Sequence, residues 1–162
     1  MKAILNTVIR SYICILLDEA LKVDMTPRNR VSEEKLRASG LRPTRQRVAL
    51  ADLLFAKGDR HVTVEELHGE AQEAGVPVSL ATVYNTLHQF THAGMIRVLA
   101  VEGAKTYFDT NTSDHHHFFI EGDNHVVDMP ADGISLNGLP TPPDGMEIAH
   151  IDVVVRLRPK KS

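Results

Sequence analysis

The sequence predicts an α+β chain in two parts. A helical N-terminal domain ends in a β-hairpin, and a small α/β C-terminal domain carries an antiparallel three-stranded sheet. Three observations predict this. Through residues 32–93, apolar side chains recur at spacings of three and four, and each run is closed by a glycine. From residue 95 onward, short runs alternate apolar and polar residues at a period of two. Charge divides along the same line. Residues 26–60 hold nine Lys/Arg against four Asp/Glu, whereas residues 100–162 hold five against ten. A basic half suits a polyanion and an acidic half suits a cation.

Ser32-Glu33-Glu34 is expected to open the first helix and Gly40 to close it. Pro43-Thr44 opens the second, which runs through Val48, Leu50 and Leu54 to Gly58. The third begins with Thr63 and Glu66, a capping box in which each side chain satisfies a free backbone N–H. It ends at Gly75. Ser79 caps the fourth, whose apolar stripe is Leu80, Val83, Leu87 and Phe90, with Gly94 as its stop. Two strands follow, Met95 to Val101 and Lys105 to Asp109, joined by a Glu-Gly-Ala-Lys turn. Helices followed by such a hairpin make a winged helix-turn-helix.

Beyond Asp109, residues 115–121 and 125–129 read as two strands. Residues 130–145 carry four Pro and three Gly, so any helix there is short. The last strand puts Ala149, Ile151, Val153, Val155 and Leu157 on one face. The expected division is an N-terminal extension at 1–31, a winged-helix domain at 32–109 and a dimerisation and metal-binding domain at 110–162. Residues 1–24 read as an upstream-start extension, because Met25 opens a basic, polar stretch that resembles a natural start.

Composition narrows the classes. The chain is 43% hydrophobic but only 5% aromatic, so a dimer interface is expected to supplement its core. Its single cysteine, Cys14, excludes an internal disulfide and a thiolate zinc cluster and is compatible with a cytoplasmic protein. Lys2 and Arg10 interrupt the apolar N-terminus, so no membrane span is expected.

The fourth helix is the candidate reading element, because a helix fits the major groove of duplex DNA. Thr82 and Tyr84 suit a thymine methyl, and Asn85 suits adenine. Ser79 and the free N–H groups of the first turn suit a phosphate. Arg42, Arg45, Arg47 and Lys105 supply cations for the backbone. One such helix discriminates weakly, since a good base contact contributes ~1–3 kcal/mol. A symmetric homodimer on a palindromic operator is therefore expected.

The segment from Tyr107 to His117 carries the strongest chemical signal. On a strand, His115 and His117 share a face while His116 points opposite, so the triplet feeds two sites. Asp109, on the preceding strand, is placed to join His115 and His117. Imidazole and carboxylate ligands suit Fe, Mn or Zn. His68, His88 and His92 lie on helices and read as surface residues.

The run Gly40-Leu-Arg-Pro-Thr-Arg-Gln-Arg47, the recognition-helix pattern Ala81-Thr-Val-Tyr84, and Tyr107-Phe-Asp with the His triplet resemble the ferric uptake regulator (Fur) family. Within it, the triplet followed by Phe118-Phe119 and the ending from Ile148 to Arg158 are most similar to the iron response regulator (Irr) branch of alphaproteobacteria. The resemblance implies a dimeric regulator of promoters whose regulatory metal site maps to His61, Asp109, His115, His117 and Asp128. A second site maps to Asp114, His116 and His150. Its remaining acidic ligand falls near Ser135, with Asp132 close by and His125 as a substitute. The Irr likeness also implies haem at His115, His116 and His117, control of iron-uptake and haem-synthesis genes, and a haem-delivering enzyme as partner.

Two departures matter. Ile120-Glu-Gly-Asp123 stands where many relatives hold a Cys-x-x-Cys pair, so a cysteine-based structural zinc is not expected. Asn85 stands where the family often has Arg, which changes the operator that is read. A peroxide-sensing regulator with Fe(II) or Mn(II) is the alternative within the family. A His/Asp metalloenzyme or metal-storage protein is the remote one, since no His-Glu-x-x-His is present.

Overall fold

The structure, a computed structural model, describes residues 27–160 apart from 100, 102–104 and 131–133. Residues 1–26 with Cys14, the tip of the wing and Asp132 lie outside the described residues, so the last five residues of the expected extension belong to the first helix. Four helices come first: α1 (Pro27–Ala38), α2 (Arg45–Phe55), α3 (Val64–Glu73) and α4 (Leu80–His92). The strands are β1 (His61–Val62), between α2 and α3, then β2 (Arg97–Leu99), β3 (Tyr107–Asp109), β4 (His116–Ile120), β5 (His125–Met129) and β6 (Val154–Leu157).

Helix α1 begins at Pro27, five residues before the expected start. A proline in the first turn costs nothing, because its missing N–H would have had no partner there. Ser32 is consequently not a cap. It lies buried inside the helix, where its hydroxyl donates to the Asp52 carboxylate on α2. The other starts follow their caps. Thr44 accepts the Arg47 amide, Ser79 accepts the Thr82 amide, and the Thr63/Glu66 box is complete in both directions. Gly94 closes α4 at φ +68°, a conformation that disfavours side chains with a Cβ.

Leu36, Leu50, Leu54, Leu67, Val83, Leu87, Phe90 and Phe108 are fully buried and form the main core. The stripe on α4 differs from the expected one. Leu80 is 44% exposed, while Thr86 is buried. Leu80 is the first residue of the helix and lines a groove with Val64, Tyr84 and Lys105.

The wing sheet has three strands in the order β1-β3-β2, all antiparallel. Strand β1 has only two residues, too short to leave a period in the sequence. The C-terminal sheet has the order β5-β4-β6. Its β4–β5 hairpin is antiparallel as expected, but β6 pairs parallel with β4. The reason is where the chain re-enters. Met129 ends β5 opposite His116, and Val154 begins β6 opposite His117, so the long connection crosses from one edge of the sheet to the other at the same end.

Strand β3 joins the two halves. All three of its residues are buried, so both of its faces are covered. Phe108 points into the helical core, while Tyr107 and Asp109, on the other face, meet the C-terminal sheet. Tyr107 packs with Leu99, Phe119 and Val126 in a second small core, and its hydroxyl donates to the Asn124 carbonyl at 2.6 Å.

Two substitutions test this account by denaturant unfolding. Leu54→Ala should cost about 2–5 kcal/mol through the cavity it leaves. Thr63→Ala should cost about 1 kcal/mol by freeing the Glu66 amide.

Candidate functional site

Two cross-strand rows face each other where the sheets meet. In the wing sheet, Asp109 is paired on one side with His61 and on the other with Arg97. In the C-terminal sheet, His117 is paired with Asp128. His115 lies just before β4, on the same face as His117, and its ring centroid is 4.5 Å from that of His117.

The facing side chains converge. One ligand atom from each of His61, His115, His117 and Asp128 lies within 4.8 Å of the others. Asp128 Oδ1 is 3.0 Å from His61 Nε2, 3.3 Å from His115 Nε2 and 3.8 Å from His117 Nε2. Asp109 lies behind this group. Its carboxylate is 3.1 Å from His115 Nε2, 3.4 Å from His117 Nε2 and 3.8 Å from His61 Nε2. His115, His117 and Asp109 are buried, and Asp128 forms the open side.

The electrostatics suit a cation. Burial pushes the His61 pKa below its usual value, although Asp109 and Asp128 pull the other way. Its imidazole is therefore held in the neutral form that donates a lone pair. Burial alone would raise the Asp109 pKa, but His117, the Asn111 amide and Arg97 together hold it below the usual carboxylate range. The Nε2 atoms of His61 and His117 are buried and make no aligned hydrogen bond. Two orphaned imidazole nitrogens beside two carboxylates form a donor set that fits a divalent cation of borderline hardness. His115 Nδ1 lies 2.9 Å from the Ser113 carbonyl, an acceptor that can take the ring proton and leave Nε2, which faces Asp109 and Asp128, to a cation.

The second expected group is less complete. Asp114 Oδ1 lies 3.5 Å from His150 Nδ1, and Asp152, which the sequence did not single out, lies 2.9 Å from His150 Nε2. His116 Nδ1 is buried without a partner. His125 and Ser135 are both exposed. Among the described residues, only the first group brings four ligand atoms together.

On the helical side, Ala81, Tyr84 and Asn85 are exposed on α4, and Thr82 is half-buried. Ser79 is engaged as the cap, its hydroxyl also 2.9 Å from Thr82 Oγ1. Lys105 faces Leu80, Ala81 and Tyr84 across a groove of about 410 Å³. Arg42 and Arg45 are exposed, whereas Arg47 turns inward, donating to the Arg42 carbonyl and to Gln89 on α4. His88 is not a plain surface residue. Its ring lies between Tyr84, at 4.3 Å, and the edge of Phe108, at 5.7 Å.

Comparison with known proteins decides the lineage. The model of the ferric uptake regulator family matches residues 38–155. The chain belongs to that family. It is 36% identical over 86 residues to the ferric uptake regulation protein of Pseudomonas aeruginosa, covering 53% of this chain and 64% of that one. It is 33% identical over 119 residues to the peroxide operon regulator of Bacillus subtilis, covering 72% of this chain and 81% of that one. The chain spans about three-fifths of the length of the curated relatives that head the comparison. The structure of the Pseudomonas aeruginosa ferric uptake regulator with manganese superposes with a TM-score of 0.62 at 26% identity, covering 81% of this chain and 99% of that one.

This Fur-family cluster predicts one strong divalent-cation site per chain. His117→Ala should weaken Zn(II) or Mn(II) binding beyond the ~10–100-fold that supporting residues around a metal typically cost. His125→Ala should leave binding unchanged. Titration of purified protein against a chelating indicator reads both.

Proposed function

We propose that this chain is an iron-responsive transcription regulator of the Irr type, which binds palindromic duplex DNA as a homodimer and senses a divalent cation at His61, His115, His117 and Asp128. The observation that carries this reading is the position of the cluster. Its ligands come from both sheets, so holding them together fixes the wing against the C-terminal sheet.

In this reading, α4 enters the major groove, with Ala81, Thr82, Tyr84 and Asn85 toward base edges. Arg42, Arg45 and Lys105 meet phosphates, and Ser79 closes the first turn there. Arg47 orders α2 against α4. When bound, the cation supplies the positive charge that lets His61, His115, His117 and Asp128 hold one geometry. Those residues then fix the angle between the domains, and so the separation of two α4 helices across a dimer. Half-sites one turn apart require about 34–36 Å. Leu136, Leu139, Met146 and Ile148 are exposed apolar residues of the C-terminal half and supply a surface for the second copy.

A regulator of this kind acts in the cytoplasm, on its own genome. No helix among the described residues is long and apolar enough to cross a membrane. The cation takes precedence over haem at the triplet. His115 and His117 are buried facing Asp109, and His116 lies on the other face, so the three imidazoles present no shared open surface. The peroxide-sensing alternative is favoured by the Bacillus subtilis relative, whose match covers more of this chain than that of the ferric uptake relatives.

The test is selection from random duplexes, followed by titration of the enriched sequence. A palindrome should emerge. Chelation should change its affinity by about 5–150-fold, the range of ordinary coupling free energies, whereas haem should not, and affinity should fall steeply with salt. Binding that ignores salt would contradict the DNA reading, and binding that ignores chelator would contradict the sensor. Oxidation by +16 Da at His61 or His117 after Fe(II) and peroxide would favour the peroxide alternative.

A further inference from the structure

Arg97 stands inside the cluster, and neither the motifs nor the ligand set accounts for it. Strand register sets it beside Asp109 on β2. Its Nε–H donates to Asp109 Oδ2 at 3.0 Å, and its Nη2 lies 2.9 Å from His115 Nε2 and 2.8 Å from Nδ1. Its side chain is only 17% exposed. Nη2 is almost equidistant from the two ring nitrogens, so it rests against the face of the His115 ring, beside the Nε2 that a metal ion would use. The guanidinium therefore takes a lone pair of Asp109 and sets its positive charge against His115. A metal ion would use the His115 lone pair itself.

We infer that Arg97 is a tethered cation that competes with the divalent ion for His115 and Asp109. It holds the wing and the C-terminal sheet together when metal is absent and sets the metal concentration at which the site fills. The inference rests on the metal reading of the cluster. Three arguments support it. A guanidinium keeps its charge at any physiological pH, so metal entry cannot proceed by its deprotonation. A metal ion on His115 Nε2 would stand within a few ångströms of Nη2, so filling the site drives the guanidinium away from His115. A full positive charge beside the site also opposes a divalent ion over the whole distance at which buried charges interact. The device differs from protonation of a ligand, because its strength does not vary with pH.

The test uses the full chain. Zn(II) affinity is measured by chelator competition for the wild type, Arg97→Met and Arg97→Lys, with thermal unfolding recorded with and without Zn(II). Arg97→Met keeps the stem and removes the charge. It should tighten Zn(II) binding at least about tenfold. It should also lower the metal-free melting temperature more than the Zn(II)-loaded one. Arg97→Lys, which keeps the charge, should fall between it and the wild type. A purely structural arginine would give lower stability in both forms with unchanged affinity, and that result overturns the proposal. Should Arg97→Met not fold, the wild type decides by NMR. The Arg97 Nε–H signal should move toward that of a solvated arginine as Zn(II) saturates the site, and an unmoved signal overturns the proposal. Zn(II) binding by none of the proteins would instead overturn the metal reading beneath it.

Discussion

A carboxylate with no solvent exposure has to be compensated, and the arrangement around Asp109 follows from that requirement. An uncompensated buried charge would cost several kcal/mol. Asp109 is surrounded by the Arg97 guanidinium, the Asn111 amide and the imidazoles of His61, His115 and His117. Those groups arrive on β1, β2, the turn after β3 and the start of β4. The two halves of the molecule are thus joined by one buried charge and by the small apolar core beside it, where Tyr107 meets Phe119. The same carboxylate lies at the back of the proposed metal ligands, so in the proposed reading a cation bound there would act on the junction.

The strand that carries Asp109 also touches α4, the candidate reading helix. Its alternation sends Phe108 to the opposite face, where the ring meets His88, and His88 supports Tyr84 on α4. A packed path of four residues therefore runs from the cluster to the exposed tyrosine. Adjacency alone carries no energy from one end to the other, and coupling needs an element with two arrangements. Arg97 supplies a candidate for that element, because its guanidinium and a metal ion exclude each other at His115.

Much of this was legible in the sequence. Caps are local chemistry, so Thr44, Thr63 and Ser79 mark their helix starts correctly. Period two separates His116 from His115 and His117 without reference to any relative. What the sequence concealed depends on pairing across strands. A turn tip centred between Gly103 and Ala104, as the Glu-Gly-Ala-Lys reading implies, would set Arg97 opposite Thr110. The observed register sets it opposite Asp109. A slip of one residue moves a side chain to the other face of the sheet, so the arginine could not be placed from the sequence. The parallel pairing of β6 and the meeting of His150 with Asp152 are long-range or loop-dependent in the same way. His61 was identified through its likeness to the Fur family, since a two-residue strand has no periodicity of its own.

X-ray absorption at the zinc edge of the Zn(II)-loaded chain tests the centre of this account most directly. His61, His115, His117 and Asp128 predict a shell of nitrogen and oxygen alone at about 2.0–2.1 Å. Outer scattering should correspond to three imidazole rings. Sulfur at about 2.3 Å, or the scattering of fewer than two imidazoles, would contradict the account.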